Sequence, residues 1–119
     1  MKILVAGSRS IKAFDLTGYI PQAAELIISG GAEGVDRLAE QYADAHRISK
    51  LIMRPRYDLY GRAAPIKRNE AMVDLADLVV VIWDGVSRGT KHTIFYAERK
   101  GKEVVLVRVC DTRESESIQ

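Results

Sequence analysis

The sequence predicts an α/β fold: one three-layer domain with a mostly parallel, five-stranded sheet and helices on both faces. Two observations predict it. Short apolar runs rich in valine and isoleucine are typical of strands that are buried on both sides, and amphipathic helical patterns alternate with these runs along the chain. The chain of 119 residues has the length of a single domain, and its 47% hydrophobic content is sufficient for a core.

Five apolar runs are predicted as strands. Four of them, residues 3–6, 26–28, 78–83 and 104–109, are nearly continuous rather than alternating, which indicates burial on both faces of a sheet. The fifth run, residues 50–53, is weaker, and we place it nearer an edge of the sheet.

Three segments between the strands show the apolar spacing of helices, namely residues 34–46, 65–75 and 90–100. Pro65 suits the first turn of its helix, because that position needs no backbone N–H. Gly101 is a stop signal for the last helix.

The connection between the first two strands is predicted as a short helix over residues 14–20, with a second helical piece that starts at Pro21. Alternation of strands and helices predicts βαβ units. We expect the folded domain to span residues 1–110, and the polar residues 111–119 to form a flexible tail.

Composition restricts the partners. The net charge of +2 is too small for polyanion binding through the overall field, and an aromatic content of 7% argues against a stacking platform for single-stranded nucleic acid. Cys110 is the single cysteine, and His46 and His92 lack the spacing of metal ligands, so we expect neither a disulfide nor a metal site. Because no run approaches the ~20 apolar residues of a membrane span, we expect a cytoplasmic protein that does not interact with membranes.

Glycines, small hydroxyls and arginines follow four of the predicted strands. In open α/β sheets, ligands bind outside the carboxyl ends of the strands, so these loops are the candidate site. The candidate ligand-binding residues in the loops are Gly7, Ser8, Arg9, Ser29, Gly30, Gly31, Ala32, Gly34, Asp36, Arg54, Asp84, Gly85, Ser87, Gly89 and Thr90.

The loop over residues 29–36 is the best candidate for an anion site. Its glycines let the backbone turn sharply and present N–H groups, and a helix start follows at once. A tight turn without any ligand is the alternative. Asp36 either favours the helix dipole from the first turn or accepts hydrogen bonds from ribose hydroxyls.

The loop over residues 84–90 precedes another helix. Thr90 can act as the N-cap of that helix, and Gly85, Ser87 and Gly89 can form a phosphate cradle. The two interpretations are compatible.

Several basic residues can add positive charge to the site. Arg9 follows the first strand and is either a fork for phosphate or carboxylate or a solvated side chain. In the basic middle of the chain we favour Arg54, which ends a strand, and Arg68 with Asn69, which lie on the helix that leads to the next strand.

Taken together, these residues resemble the SLOG superfamily and, within it, the YspA-like group. The superfamily includes the cytokinin-activating LOG phosphoribohydrolases, the DNA-processing protein DprA and domains proposed to sense nucleotide derivatives. The resemblance implies a Rossmann-like fold and a nucleotide-type ligand. It runs from residue 1 to about residue 109 and is carried by Gly7-Ser8-Arg9, Ser29-Gly30-Gly31-Ala32-x-Gly34-Val35-Asp36, Arg68-Asn69-x-x-Met72, Ala76-Asp77 and Asp84-Gly85-x-Ser87-x-Gly89-Thr90.

LOG enzymes carry a PGGxGTxxE motif, whose glutamate takes part in cleaving the N-glycosidic bond. The second half of that motif resembles residues 87–90, but the glutamate position falls on Thr93, which has no carboxylate. The resemblance therefore implies ligand binding more than LOG-type catalysis.

Three functional hypotheses remain. The leading one is a module that binds a nucleotide, an ADP-ribose-like or a phosphoribosyl compound as a sensor or a sequestering protein. The alternative is an enzyme that cleaves an N-glycosidic or phosphoribosyl bond, with Asp36 as a candidate acid. The third is binding of single-stranded DNA as in DprA, against which the low charge and few aromatics argue. We expect a homodimer, and no cofactor besides the nucleotide-type ligand.

Overall fold

The computed structural model describes residues 1–109 and contains one sheet in which every neighbouring pair of strands is parallel. The strands are β1 (Lys2–Gly7), β2 (Leu26–Ser29), β3 (Ser49–Ile52), β4 (Leu78–Trp83) and β5 (Glu103–Arg108). The helices are α1 (Val35–Ala45), α2 (Tyr57–Tyr60), α3 (Ala64–Leu75) and α4 (Arg88–Arg99), with a 3₁₀ turn (Gly61–Ala63) between α2 and α3. The predicted α/β fold with five strands is confirmed. Cys110 and the predicted tail over residues 111–119 lie outside the described residues.

The order of the strands places β1 in the middle of the sheet. The order is β3-β2-β1-β4-β5, so the chain runs outward from β1 to β3, crosses back, and continues from β4 to β5. Since the chain leaves β1 and β4 in opposite directions, a crevice opens between their carboxyl ends. The predicted edge position of the weak strand, β3, is confirmed.

Both faces of the sheet are covered, as predicted. The predicted burial of residues 104–109 on both faces is wrong, because β5 lies at an edge of the sheet and none of its residues is fully buried; Leu106 is 46% exposed. Alternate side chains of each strand point to opposite faces, so β1 contributes Ile3 and Val5 to one core and Leu4 and Ala6 to the other. The first core adds α1 and the connection from β1 to β2, and the second adds α3 and α4. Each fully buried valine or isoleucine stabilises the fold by roughly 1.5–3 kcal/mol, which explains the continuous apolar runs.

The predicted helix over residues 14–20, and the helical piece from Pro21, are wrong. This connection consists of turns and irregular segments, although Leu16 and Ile20 are buried against the first core. The Asp15 carboxylate accepts the N–H of Thr17 at 2.9 Å, and Gly18 has a φ of +91°. An aspartate side chain that binds the backbone two residues on favours a turn over a helix.

The three long helices begin and end within two residues of their predicted limits. The short helix α2 was not predicted, because its residues are exposed and form no apolar stripe. No helix within residues 1–109 combines the length and the apolarity needed to cross a membrane.

Candidate functional site

A cleft of about 480 Å³ lies at the carboxyl ends of β1 and β4, between the starts of α1 and α4 and one face of α3. This volume is in the range of small-molecule sites. The position is the crevice that the strand order creates.

The cleft brings together residues from all the predicted loops except the one that carries Arg54. The predicted residues that line it are Gly7, Ser8, Arg9, Ala32, Asp36, Arg68, Asn69, Asp84, Ser87, Gly89 and Thr90. The predicted residues that do not line it are Ser29, Gly30, Gly31, Gly34, Arg54 and Gly85. The sequence analysis missed Ala6, Ser10, Pro65, Met72 and Thr93, which also line it. Helical spacing from Arg68 and Asn69 would have identified Pro65 and Met72, because residues three and four apart share a helix face.

Ser8 connects three segments of the cleft wall. It is 1% exposed, and its Oγ accepts the N–H of Asp84 at 3.0 Å. Its carbonyl oxygen accepts the N–H of Val35, the first residue of α1, at 3.3 Å. The loop after β1 is therefore fixed to both the β4–α4 loop and the start of α1.

Asp84 organises the β4–α4 loop. Its carboxylate accepts the N–H groups of Val86 and Ser87, both at 2.9 Å, and the hydroxyl of Ser10 at 3.0 Å. Burial raises the pKa of Asp84, but these N–H and hydroxyl donors outweigh it and hold the pKa well below its ordinary range. The side chains of Asp84 and Ser87, whose Oγ lies 3.0 Å from both Asp84 oxygens, thus stabilise the loop itself.

The start of α4 faces the cleft. The N-cap is Ser87, so the interpretation of Thr90 as the N-cap is wrong: Thr90 lies inside the first turn. The N–H of Lys91 is bonded to the Ser87 carbonyl, so those of Arg88, Gly89 and Thr90 have no acceptor within the helix. Such N–H groups and the helix dipole favour an anion.

Two side-chain features leave this helix start open. Thr90 is only 7% exposed, and its hydroxyl has no hydrogen-bond partner among residues 1–109. A Cβ on Gly89 would have a single neighbour within 4 Å, Asn69 Nδ2 at 4.0 Å. Glycine at a helical position costs about 0.5–1 kcal/mol relative to alanine, and no packing contact requires it here.

Asp36 and Arg68 face the cleft from α1 and α3. Asp36 is 8% exposed, and its Oδ2 accepts the N–H of Ala32 at 3.1 Å. Burial raises the pKa of Asp36, against the opposing effects of the Ala32 N–H and the Arg68 charge. Arg68 is half-buried, and its Nη1 donates to the carbonyl of Gly30 at 2.7 Å.

The glycine loop before α1 supports the site rather than lining it. A Cβ on Gly30 would lie 2.7 Å from Arg68 Nη1 and 2.9 Å from Asp36 Oδ2. Gly34 has a φ of +71°, and a Cβ there would lie 2.4 Å from the Ser8 carbonyl oxygen. These glycines therefore let the buried charges and the β1 loop approach the backbone closely.

The other predicted residues outside the cleft also have local contacts. Ser29 Oγ donates to the carboxylate of Glu40 at 3.1 Å, and Arg54 Nη1 donates to the carbonyl of Gly31 at 3.3 Å. A Cβ on Gly31 would meet Ile52 at 2.8 Å, and one on Gly85 would meet Arg108 at 2.7 Å.

Side chains of both charges line the cleft, namely Arg9, Arg68, Asp36 and Asp84. Arg9 is exposed and has no hydrogen-bond or ion-pair partner within residues 1–109. Thr93 donates its hydroxyl to the Gly89 carbonyl at 3.1 Å. Nowhere in the described part of the chain do three histidine, cysteine or acidic side chains form a group that could hold a metal ion.

Comparisons with known proteins identify no relative of this chain. No family model matches the chain, and the searches of curated proteins and of solved structures found no match to it.

Proposed function

We propose that this protein binds a phosphate-bearing nucleotide, or a small molecule derived from one, at the carboxyl ends of β1 and β4. In this proposal it acts as a sensor or a sequestering module. The observation that carries the proposal is the open start of α4, where Gly89 leaves space and the hydroxyl of Thr90, which is not sealed from solvent, has no partner among the described residues. The resemblance to the SLOG superfamily agrees with it.

The phosphate group would bind at the start of α4. The helix dipole contributes only about 0.3–1 kcal/mol, so most of the affinity must come from hydrogen bonds to the charged oxygens, at about 1.5–3 kcal/mol each. The N–H groups of Gly89 and Thr90 and the Thr90 hydroxyl are suitable donors. Arg9, which lines the same cleft from the loop after β1, can add a bidentate contact.

Binding agrees with the site better than hydrolysis of LOG type. Such hydrolysis uses a glutamate where this chain has Thr93, whose hydroxyl is already engaged with the Gly89 carbonyl. Asp84 also lines the cleft, but its carboxylate is occupied by the β4–α4 loop.

One observation favours hydrolysis as a second candidate function. Asp36 is a buried carboxylate that lines the cleft, and burial raises its pKa, as is common for catalytic acids. Incubation with nucleoside monophosphates and with NAD, followed by detection of free base, tests this candidate. Turnover that disappears in Asp36→Ala would replace the pure-binding proposal.

Native mass spectrometry of the freshly purified protein, together with calorimetric titration of AMP and ADP-ribose, tests the binding proposal. We expect Thr90→Val to weaken binding by at least about 10-fold, since one hydrogen bond to a charged group is lost. Thr17→Val removes the same hydroxyl from an exposed turn outside the cleft and serves as the control. Equal affinities of Thr90→Val and the wild type would contradict the proposal.

A further inference from the structure

Two opposite charges lie close together in the cleft without pairing. Asp36 Oδ2 and Arg68 Nη1 would both lie within 3 Å of a Cβ on Gly30, yet no ion pair joins the two side chains. Each interacts electrostatically with the other, and each is at least partly buried. Buried groups of opposite charge that remain unpaired are an unusual arrangement, because pairing would recover part of the desolvation cost.

Each of the two side chains keeps a polar atom for a ligand. Oδ2 of Asp36 is bonded to Ala32, but Oδ1 has no partner within residues 1–109. Within the described residues, every side-chain nitrogen or oxygen that is sealed from solvent has a hydrogen-bond partner. Oδ1 is therefore not sealed, and since Asp36 lines the cleft it is available from that side.

The guanidinium of Arg68 is held in place from one side. Nη1 donates to the carbonyls of Gly30 and Met53, at 2.7 and 3.1 Å, and Nε donates to Asn69 Oδ1 at 2.8 Å. These bonds leave Nη2 without an acceptor among residues 1–109 and fix the direction of its two N–H donors.

We infer that Asp36 and Arg68 together bind one hydroxyl group of the ligand, which donates to Asp36 Oδ1 and accepts from Arg68 Nη2. A hydroxyl is the small group that donates and accepts at the same time. A phosphate offers only acceptors at neutral pH and is repelled by Asp36, whereas an ammonium group offers only donors and is repelled by Arg68.

The hydroxyl belongs to a sugar rather than to a modified base in this inference. A nucleobase edge also combines a donor with an acceptor, but an aromatic side chain is a common platform on which a protein stacks a base. No residue of the described cleft wall is aromatic. The inference rests on the proposed function, and it narrows the ligand class to phosphorylated sugars with a free hydroxyl beside Asp36.

Calorimetric titration with four probes tests the hydroxyl site. Ribose 5-phosphate, 2-deoxyribose 5-phosphate and tetrahydrofurfuryl phosphate share a phosphate and a five-membered ring but carry decreasing numbers of hydroxyls, and pyrophosphate carries none. For the wild type we expect the affinity to fall at least 10-fold between the first and the third probe, since one hydrogen bond to a charged group is lost.

The Asp36→Asn variant keeps the side-chain shape and an acceptor for the Ala32 N–H. We expect the difference between the probes to shrink to about threefold or less, because a neutral acceptor binds a hydroxyl more weakly, while pyrophosphate binds at least as well as to the wild type. Asp44→Asn, on the same helix but exposed and outside the cleft, is the matched control and should behave as the wild type.

The outcomes separate the two proposals. The hydroxyl site is overturned if the wild type binds the three ring phosphates with equal affinity, or if Asp36→Asn keeps the wild-type preference among them. If pyrophosphate still binds in that case, the proposed anion site is retained. A wild type that binds none of the four probes overturns both.

Discussion

Gly89 lies beside Asn69 in the cleft, and a Cβ on Gly89 would have only Asn69 Nδ2, at 4.0 Å, within contact distance. We therefore expect Gly89→Ala to stabilise the unliganded protein by about 0.5–1 kcal/mol, the helix preference for alanine. We expect the same change to weaken AMP binding, because the methyl group occupies space beside the N–H donors. Urea unfolding and calorimetry measure the two effects. A variant that is stabilised and binds normally would show that the ligand does not lie against this helix start.

Gly34 and Gly18 allow the cost of a steric clash to be separated from the cost of a positive φ. Both have positive φ, +71° and +91°, so alanine is strained at either position. Nothing lies within 4 Å of a Cβ on Gly18, whereas one on Gly34 collides with the backbone oxygens of Ser8 and Arg9.

We expect Gly18→Ala to cost about 1 kcal/mol of unfolding free energy and Gly34→Ala to cost clearly more, with loss of the cleft. Urea unfolding of both variants is the measurement. Equal costs would mean that the β1 loop yields to the added methyl group.

The lowered pKa of Asp84 predicts a loss of stability in acid. The pKa of its carboxyl is held below the ordinary 3.8 in the folded state, so the folded protein binds this proton less tightly than the unfolded chain. The stabilisation is therefore complete above pH 3.8 and disappears as the pH falls through the lower folded value.

We expect Asp84→Asn to cost about 1–2 kcal/mol at pH 7, as for a lost helix cap, and less in acid. Asp44→Asn, in an exposed ion pair with Lys50, should change stability by less than about 1 kcal/mol. Guanidinium unfolding between pH 2.5 and 7 compares them, and a cost of Asp84→Asn that is independent of pH would contradict the interpretation of the loop.

The raised pKa of Asp36 predicts the opposite pH dependence of stability. Burial raises the pKa of this carboxyl above 3.8, so the folded protein holds the proton more tightly than the unfolded chain. The contribution of Asp36 to stability falls as the pH rises from 3.8 through the raised folded value, and it stays at that lower level above it. Asp36→Asn should therefore stabilise the unliganded protein at pH 7, by about 0.5–2 kcal/mol. The gain should shrink in acid, and urea unfolding at pH 4 and pH 7 checks it.

The buried strands and the three long helices could be predicted because each of them carries a local apolar pattern. The connection from β1 to β2 could not, since Leu16 and Ile20 are spaced like helical residues but the turn at Asp15 and Gly18 prevents a helix. An apolar pattern identifies the residues that are buried, whereas the side-chain bond that decides the backbone is visible only in the structure.

The site was predictable as a set of loops but not residue by residue. Gly30 and Gly89 both lie in glycine-rich stretches of the sequence, yet Gly30 makes room for two charged side chains and Gly89, in the first turn of α4, leaves open space. The sequence places Asp36 in the first turn of α1, and a favourable interaction with the helix dipole is sufficient to explain that position. Only the structure shows that Asp36 also accepts the Ala32 N–H and lies near the charge of Arg68. The contact of Arg68 with Gly30 joins residues 38 positions apart, and the sequence pattern carries no such distance information.

The parallel pairing of β1 with β4 has a consequence for how the protein folds. Ile3 is paired with Leu78, so the two strands whose ends form the cleft meet only after the chain has closed a loop that contains most of its residues. No hairpin within residues 1–109 offers a faster local start, since every strand pair there is parallel. Folding should accordingly be slower than in helical domains of this size, and during synthesis the binding surface cannot be completed before β4 has left the ribosome.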